Sequence, residues 1–151
     1  MDTTISPLKL DASWTYKLTV LADRVARHSA AIASDVGGLN LSQWRVLAAV
    51  ADAEGRTSSQ VVALTPMDKG IVSRAVASLV QQGLLRREAS EQDGRKAHLH
   101  MTREGRALYD AIRSRRQESG ADGEGVLPKA AAQILLQTLD QLIAEYPDPT
   151  G

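Results

Sequence analysis

Apolar residues recur at helical spacing through the first quarter of the chain. The intervals are three, four or seven residues, and the positions are Trp14, Leu18, Leu21, Val25, Ile32 and Val36. Such a stripe is typical of one face of an α-helix. Asp11 or Ser13 can cap its start, and Gly37 with Gly38 ends it. The pattern predicts one long first helix, and its narrow stripe suits packing against partner helices.

Two shorter helices are predicted next. The second begins near Ser42, ends around Gly55, and points three apolar side chains inward: Trp44, Leu47 and Val50. Thr57 and Gln60 then have the spacing of a capping box, in which a hydroxyl and an amide satisfy two unpaired backbone N–H groups. This capping box predicts a short third helix that carries Val61, Val62 and Leu64 and is closed by Pro66.

A fourth helix is predicted between the N-cap Asp68 and Gly83. Its buried positions are expected to be Val72, Val76, Leu79 and Val80. This leaves an outward face of small, polar and basic residues: Lys69, Gly70, Ser73, Arg74, Ala77 and Ser78. A face without bulky side chains can enter a groove.

After Gly83 the apolar period changes from 3.6 to 2, which predicts two short strands at 84–88 and 96–101. Asp93-Gly94 between them is a hairpin turn sequence, and Arg95 and Lys96 lie near its tip. Thr102 caps a predicted fifth helix that runs to about Gln117 and ends with three basic residues, Arg113, Arg115 and Arg116. A glycine-rich break at 118–125 follows.

Pro128 is placed for the first position of a sixth helix, whose apolar side carries Ile134, Leu135, Leu139, Leu142 and Ile143. No internal repeat or domain boundary is evident. The apolar stripes of the first and sixth helices are too long for a small monomer to cover easily, which favours a symmetric dimer.

The charge distribution is uneven although the chain carries no net charge. Between Asp68 and Arg116 there are eleven Lys and Arg residues against six Asp and Glu, a net of +5, so the remainder carries −5. A contiguous basic segment is expected of a surface that binds phosphates. A solvated basic face without a partner is an equal alternative on charge alone.

Several classes of function are disfavoured by what the sequence lacks. With no cysteine, disulfides, thiolate metal sites and thiol-based sensing are excluded. His98 and His100 share one strand face, but two ligands make a poor metal site, so a solvated face is expected. No catalytic motif stands out, so we predict that the chain is not an enzyme and has no cofactor. The absence of a secretory signal or membrane span favours a cytoplasmic protein.

Five segments, in order, resemble the MarR family of winged helix-turn-helix transcriptional regulators. They cover about residues 40–110 and are Leu41-Ser42-Gln43-Trp44-Arg45-Val46-Leu47, Asp68-Lys69-Gly70-Ile71-Val72-Ser73-Arg74, Gln82-Gly83-Leu84-Leu85-Arg86-Arg87, Asp93-Gly94-Arg95-Lys96 and the run Leu99 to Leu108. The resemblance implies a mainly α fold with a small β-hairpin wing. Residues 40–102 would form a winged helix-turn-helix DNA-binding lobe, and 11–38 with 103–146 a helical dimerisation lobe, within a single MarR-like domain, 1–151.

The resemblance also implies a homodimer through the first, fifth and sixth helices that binds double-stranded DNA. Such a regulator typically represses pseudo-palindromic operators until a small ligand relieves it. A winged-helix module that binds protein, and a non-specific DNA-binding protein without an effector, are the alternatives.

The candidate DNA contacts come from three predicted elements: Ser58, Ser59, Gln60, Lys69, Gly70, Ser73, Arg74, Ala77, Arg95 and Lys96. Ser73 and Arg74 suit base edges or phosphate, and Lys69 suits phosphate. Arg95 is the expected wing-tip residue for a minor groove. Asp93 is expected to hold the turn or Arg95, and some of the other arginines to pair with Glu88 or Asp110.

Candidate effector contacts are Trp14, Arg24, His28, Trp44 and Arg45. The resemblance implies a ligand cleft between the two lobes, where a Trp, a His and an Arg would suit an aromatic carboxylate. For Trp44 a place in the core between the first and second helices is expected, and for the others a purely structural or solvated role stays open.

Overall fold

The computed structural model describes residues 5–92 and 94–149, so the expectation for Asp93 lies outside the described residues. After a short 3₁₀ turn at Leu10–Ala12, six helices and two strands follow in the order α1 Trp14–Gly37, α2 Leu41–Asp52, α3 Ser58–Leu64, α4 Lys69–Gln81, β1 Leu85–Ala89, β2 Ala97–Met101, α5 Arg103–Glu118 and α6 Lys129–Glu145. The predicted class, mainly α with one hairpin, is confirmed.

The helix starts follow the predicted caps with two corrections. Ser13, Thr57, Asp68 and Thr102 each accept a backbone N–H as expected. The start of α2 was placed one residue late, because Asn40 forms a capping box with Gln43. Pro128 precedes α6 as its N-cap instead of occupying the first turn.

The core lies among α2, α4, the hairpin and the start of α5. Its fully buried side chains include Leu47, Val50, Val61, Val72, Val76, Leu79, Leu85, Leu99 and Ile112. On α4 the sequence pattern missed the buried Ala75, and Val80 is only partly buried. Leu64, at the end of the short helix α3, is 58% exposed.

The hairpin is antiparallel, with Leu85 opposite Met101 and Glu88 opposite His98. The second edge of β2 is also paired, which the sequence did not predict. The Leu99 N–H donates to the Arg56 carbonyl at 2.9 Å, the Gly55 N–H donates to the Leu99 carbonyl at 2.8 Å, and Thr57 bridges to His98. The stem of the hairpin is therefore fixed to the turn between α2 and α3.

The apolar sides of α1 and α6 remain open to solvent in the single chain. Leu21 is 55% exposed, Ile134 is 65% exposed and Ile143 is 71% exposed. Trp14 meets the ring of Tyr146 edge-to-face at 6.3 Å, where the two ends of these helices approach each other. Within the described residues, no helix combines the length and the apolar character needed to cross a membrane.

Candidate nucleic-acid interface

The outward face of α4 is polar and exposed to solvent. Lys69, Gly70, Ser73, Arg74 and Ala77 are all exposed, as the pattern predicted. The packing of α4 on α2 and α3 through Val72, Val76 and Leu79 holds these positions outward. The face therefore offers two cations and a hydroxyl on a surface without bulky apolar groups.

Ser78 is a correction to that face, because it is half-buried and faces α2. Its hydroxyl oxygen accepts a 2.8 Å hydrogen bond from Gln43 Nε2 and a 3.1 Å hydrogen bond from Gln82 Nε2. Gln43 also closes the capping box of α2, so its side chain connects the start of α2 to Ser78 on α4. The sequence reasoning missed this contact because the two residues lie far apart in the chain.

Residues from α3 and α4 border a shallow groove on one side of α4. Its polar rim consists of Ser58, Ser59, Lys69 and Ser73, with Val62 at its base. Gln60 is also exposed. Its side-chain oxygen Oε1 accepts the Thr57 N–H at 2.9 Å, so the Gln60 side chain forms part of the N-terminal cap of α3. The serines and Lys69 thus form one polar edge that can approach a phosphate backbone.

Arg74 lies on the opposite side of α4, next to the start of α2. It borders a second depression together with Asn40, Ser42 and Gln43. A Cβ at position 70 would lie 3.4 Å from Arg74 Nη1, so the guanidinium extends back over the first turn of α4, where Gly70 leaves room. Ser73 and Arg74 are adjacent in sequence but border different depressions on the surface of α4.

The wing carries further cations beyond α4. Arg95 and Lys96 are exposed near the tip of the hairpin. At the stem, Arg86 Nη1 donates to Glu88 Oε2 at 3.0 Å, as expected for one of the arginines. Arg113 and Arg116 pair with Asp122 in the loop after α5, which the sequence did not predict.

Behind this surface, a buried network joins α5 to α1 and α2. Trp44 is buried as expected, but its ring stacks on Tyr109 of α5 with a centroid distance of 5.6 Å. The Arg116 guanidinium lies 5.5 Å from the Trp44 ring centre, donates to Ser29 Oγ at 2.7 Å, and donates to Asp122 Oδ1 at 2.6 Å. Burial, and then the neighbouring charge of Arg113, lowers the pKa of Arg116.

The five candidate effector residues do not form one pocket in the single chain. Trp14 borders a groove with Leu18 and α6, whereas Arg24 borders another with Leu10 and Tyr16, and His28 is exposed. Trp44 and Arg45 share a third groove between α2 and the end of α3. The structure therefore brings together two of the five.

The two strand histidines do not form the solvated face that was expected, since both are half-buried and lie against protein oxygen atoms. His98 Nδ1 lies 2.6 Å from the Gly55 carbonyl oxygen, and His100 lies between Glu54 and Glu88. Within the described ranges no group of three or more His, Asp or Glu side chains is arranged to hold a metal. Glu54 was missed because a charged residue in a turn has no distinctive pattern in sequence.

The arrangement of α3, α4 and a paired hairpin is that of a winged helix-turn-helix fold. Residues 37–96 match the model of the MarR family. This match shows that the segment carrying α2, α3, α4 and the first part of the hairpin is similar to the MarR family. No curated protein resembles the chain closely enough in sequence to count as a relative.

Three solved structures illustrate the similarity of fold. A MarR family transcriptional regulator from Silicibacter pomeroyi is 23% identical with a TM-score of 0.81, covering 94% of this chain and 97% of the other. CouR from Rhodococcus jostii RHA1, bound to p-coumaroyl-CoA, is 24% identical with a TM-score of 0.78, covering 90% and 95%. A protein of Listeria monocytogenes described as a MarR family transcriptional regulator, complexed with 26mer DNA, is 20% identical with a TM-score of 0.78, covering 88% of each chain.

Proposed function

We propose that this protein is a cytoplasmic, homodimeric repressor that binds pseudo-palindromic operator DNA and is released by a small ligand. The observation that carries the proposal is the outward face of α4, which is small, polar and basic and is flanked by the basic wing. The match of this region to the MarR family model supports the same interpretation.

In this proposal α4 lies in the major groove, which is wide enough for one helix and displays a distinct pattern for each base pair. Arg74 and Ser73 read base edges or phosphate, with Gly70 and Ala77 allowing close approach. Lys69, Ser58, Ser59 and Gln60 hold the backbone on one side. On the other side Arg95 enters the minor groove and Lys96 binds the adjacent phosphates.

Dimerisation is proposed to cover the exposed apolar sides of α1 and α6, with α5 completing the helical lobe. The lobes would comprise 11–38 with 103–146 for dimerisation and 40–102 for DNA binding. Leu21 and Ile134 are each more than half exposed in the single chain. Monomeric proteins rarely leave large apolar patches exposed, so these helix sides are expected to be covered by a second subunit. A two-fold dimer would present two copies of α4 about one helical turn of DNA apart.

A small ligand is proposed to control the distance between the two copies of α4. CouR is bound to p-coumaroyl-CoA, an aromatic thioester that carries anionic groups, which makes this class a reasonable first choice. Trp14, Arg24, His28, Trp44 and Arg45 are the candidate contacts. Because they lie apart in a single chain, a common pocket requires the second subunit.

The experiment is selection of bound duplexes from random DNA by the purified protein at moderate salt. Enrichment of an inverted repeat with half-sites about ten base pairs apart would support a sequence-specific dimer. Salt-sensitive binding without enrichment would indicate a non-specific DNA-binding protein. No binding at all would favour the protein-interaction module.

A matched pair of variants tests the dimer separately. Leu21→Glu places a charge within the apolar stripe and should convert the dimer to monomer, lowering operator affinity by about a hundredfold through lost avidity. Thr19→Glu makes a similar change two residues away, on the opposite side of α1, and should remain dimeric. Sedimentation velocity distinguishes the two states, and a dimeric Leu21→Glu protein would contradict the proposed interface.

A further inference from the structure

His100 lies between two carboxylates that belong to different parts of the DNA-binding lobe. Its Nδ1 is 3.3 Å from Glu54 Oε2, in the turn after α2, and its Nε2 is 3.4 Å from Glu88 Oε2, on β1. We call Glu54, Glu88 and His100 the wing-stem cluster. The His100 side chain is 25% exposed, so water reaches the ring without separating it from either carboxylate.

The number of protons on the His100 ring decides whether both contacts are favourable. A neutral imidazole has one N–H donor and one lone pair, whereas an imidazolium has two donors. With the ring neutral, one nitrogen lone pair would face a carboxylate oxygen and repel it. With the ring protonated, both contacts become attractive ion pairs. Both contacts are therefore favourable together only when the ring carries two N–H groups.

Glu54 also holds the junction between the wing and α5. Its Oε2 accepts the Met101 N–H at 3.1 Å, and its Oε1 accepts from Arg106 Nη2 at 3.1 Å. Gly55 packs behind the ring, since a Cβ at that position would lie 3.5 Å from His100 Cε1. A contact between Glu88 and this fixed point therefore adds a side-chain link between β1 and the body of the lobe, beside the backbone bonds that already hold β2.

Other charged or titratable side chains near His100 come from β1, β2 and α5. Arg86 is directly opposite on β1 and pairs with Glu88, while Arg106 on α5 pairs with Glu54. His98 is two residues away on the same strand face, with its Nδ1 on the Gly55 carbonyl. Arg86, followed by His100, lowers the pKa of Glu88, so this carboxylate is ionised at neutral pH.

We propose that the wing-stem cluster is a proton-dependent positioning device, in which protonated His100 joins β1 to the turn after α2 and so further restrains the wing for DNA binding. The proposal rests on the proposed function, because the wing is assumed to contact the operator. A proton on the second ring nitrogen supplies the donor for the second contact, and removal of that proton takes the donor away.

The size of the effect follows from the exposure of the partners. Glu54 and Glu88 side chains are 40% and 59% exposed, so the contact should be worth no more than a partly exposed ion pair. Operator affinity should therefore rise roughly two- to fivefold as the pH falls from about 8 to about 6. A stronger response would require a second titrating group.

The first test measures the wing without DNA. The chain has no cysteine, and a Cβ at Gly94 meets nothing within 4 Å, so Gly94→Cys provides a single labelling position at the wing. Fluorescence anisotropy of a label there should rise as the pH falls through this range. The rise should be absent when His100→Gln is added and retained when His98→Gln is added. The proposal is overturned if the anisotropy does not change with pH, or if it changes equally in the His100→Gln protein.

The second test measures affinity for the selected operator over the same pH range. His100→Gln should remove the pH response, and Glu54→Gln should weaken it, since the second contact then gains little from the charge on His100. His98→Gln, the matched control on the same strand face, should keep the response. If Glu54→Gln leaves the full response, His100 attracts DNA simply by its charge and the positioning role is wrong.

The two tests separate the proposal from the function on which it depends. A pH-dependent wing in a protein that selects no operator would refute the proposed function and leave the positioning device intact. An operator bound with the same affinity at every pH, together with an unresponsive wing, would refute the device alone.

Discussion

The guanidinium of Arg116 on α5 lies 5.5 Å from the centre of the Trp44 ring on α2. The same group donates to Ser29 on α1, so one side chain connects the long first helix, the second helix and the fifth helix. α5 leaves the wing directly after β2 and runs into the helical lobe. This pair is therefore a fixed point between the surface proposed for DNA and the surface proposed for the second subunit.

Arg116→Ala should lower the free energy of unfolding by roughly 3 kcal/mol. The Arg116 side chain is only 11% exposed, and its loss leaves the buried Asp122 carboxylate with one cation fewer. Urea denaturation measures the change. Arg115→Ala, a neighbouring removal of an exposed arginine, is the control and should cost less than about 0.5 kcal/mol. Equal stabilities of the two variants would contradict the role given to Arg116.

Arg74→Ala should weaken operator binding by about 1–3 kcal/mol and relax the preference for one or more base pairs. The reason is the exposed position of Arg74 on α4, from which a guanidinium can pair bidentately with guanine. Arg74→Lys keeps the charge but not the planar fork, so it should retain binding to bulk DNA while losing base preference. Titrations with operator and scrambled duplexes check both, and unchanged discrimination in both variants would refute base contact.

Arg95→Ala should reduce the dependence of binding on salt by about one phosphate equivalent. Arg95 is exposed near the wing tip, where it is proposed to approach the minor groove. The measurement is the slope of log affinity against log salt concentration. Lys129→Ala removes one exposed charge from the start of α6 and should leave the slope as it is. An unaltered slope in the Arg95→Ala protein would count against insertion of the wing.

Gly105→Ala should destabilise the fold by about 1–3 kcal/mol or more, because the first turn of α5 packs against the chain entering the wing. A Cβ at position 105 would overlap the Leu84 carbonyl oxygen and lie 2.9 Å from the Leu84 carbonyl carbon. That oxygen accepts the Thr102 N–H at 3.1 Å, so it cannot move away without breaking this bond. Thermal unfolding measures the loss, and Gly94→Ala, which meets open space, should unfold almost as the original protein does.

Local chemistry explains why so many elements were predictable. Thr57, Asp68 and Thr102 can cap only the residues that follow them, and the change of period after Gly83 marks the entry to the wing. The outward face of α4 also follows from its own sequence, because Val72, Val76 and Leu79 fix which side is buried. Ser78 was misplaced, since its partner Gln43 lies in another helix.

By itself, the sequence determined the order of the helices, the hairpin, the polar face of α4 and the two unpaired apolar stripes. These features depend on side-chain periodicity and on hydrogen bonds between residues a few positions apart. The tertiary structure alone decided that Trp44 meets Tyr109 and Arg116, that Asp122 neutralises two arginines, and that His100 lies between Glu54 and Glu88. These contacts join residues that are distant in sequence, and only the packing of the helices on the hairpin sets their distances and burial.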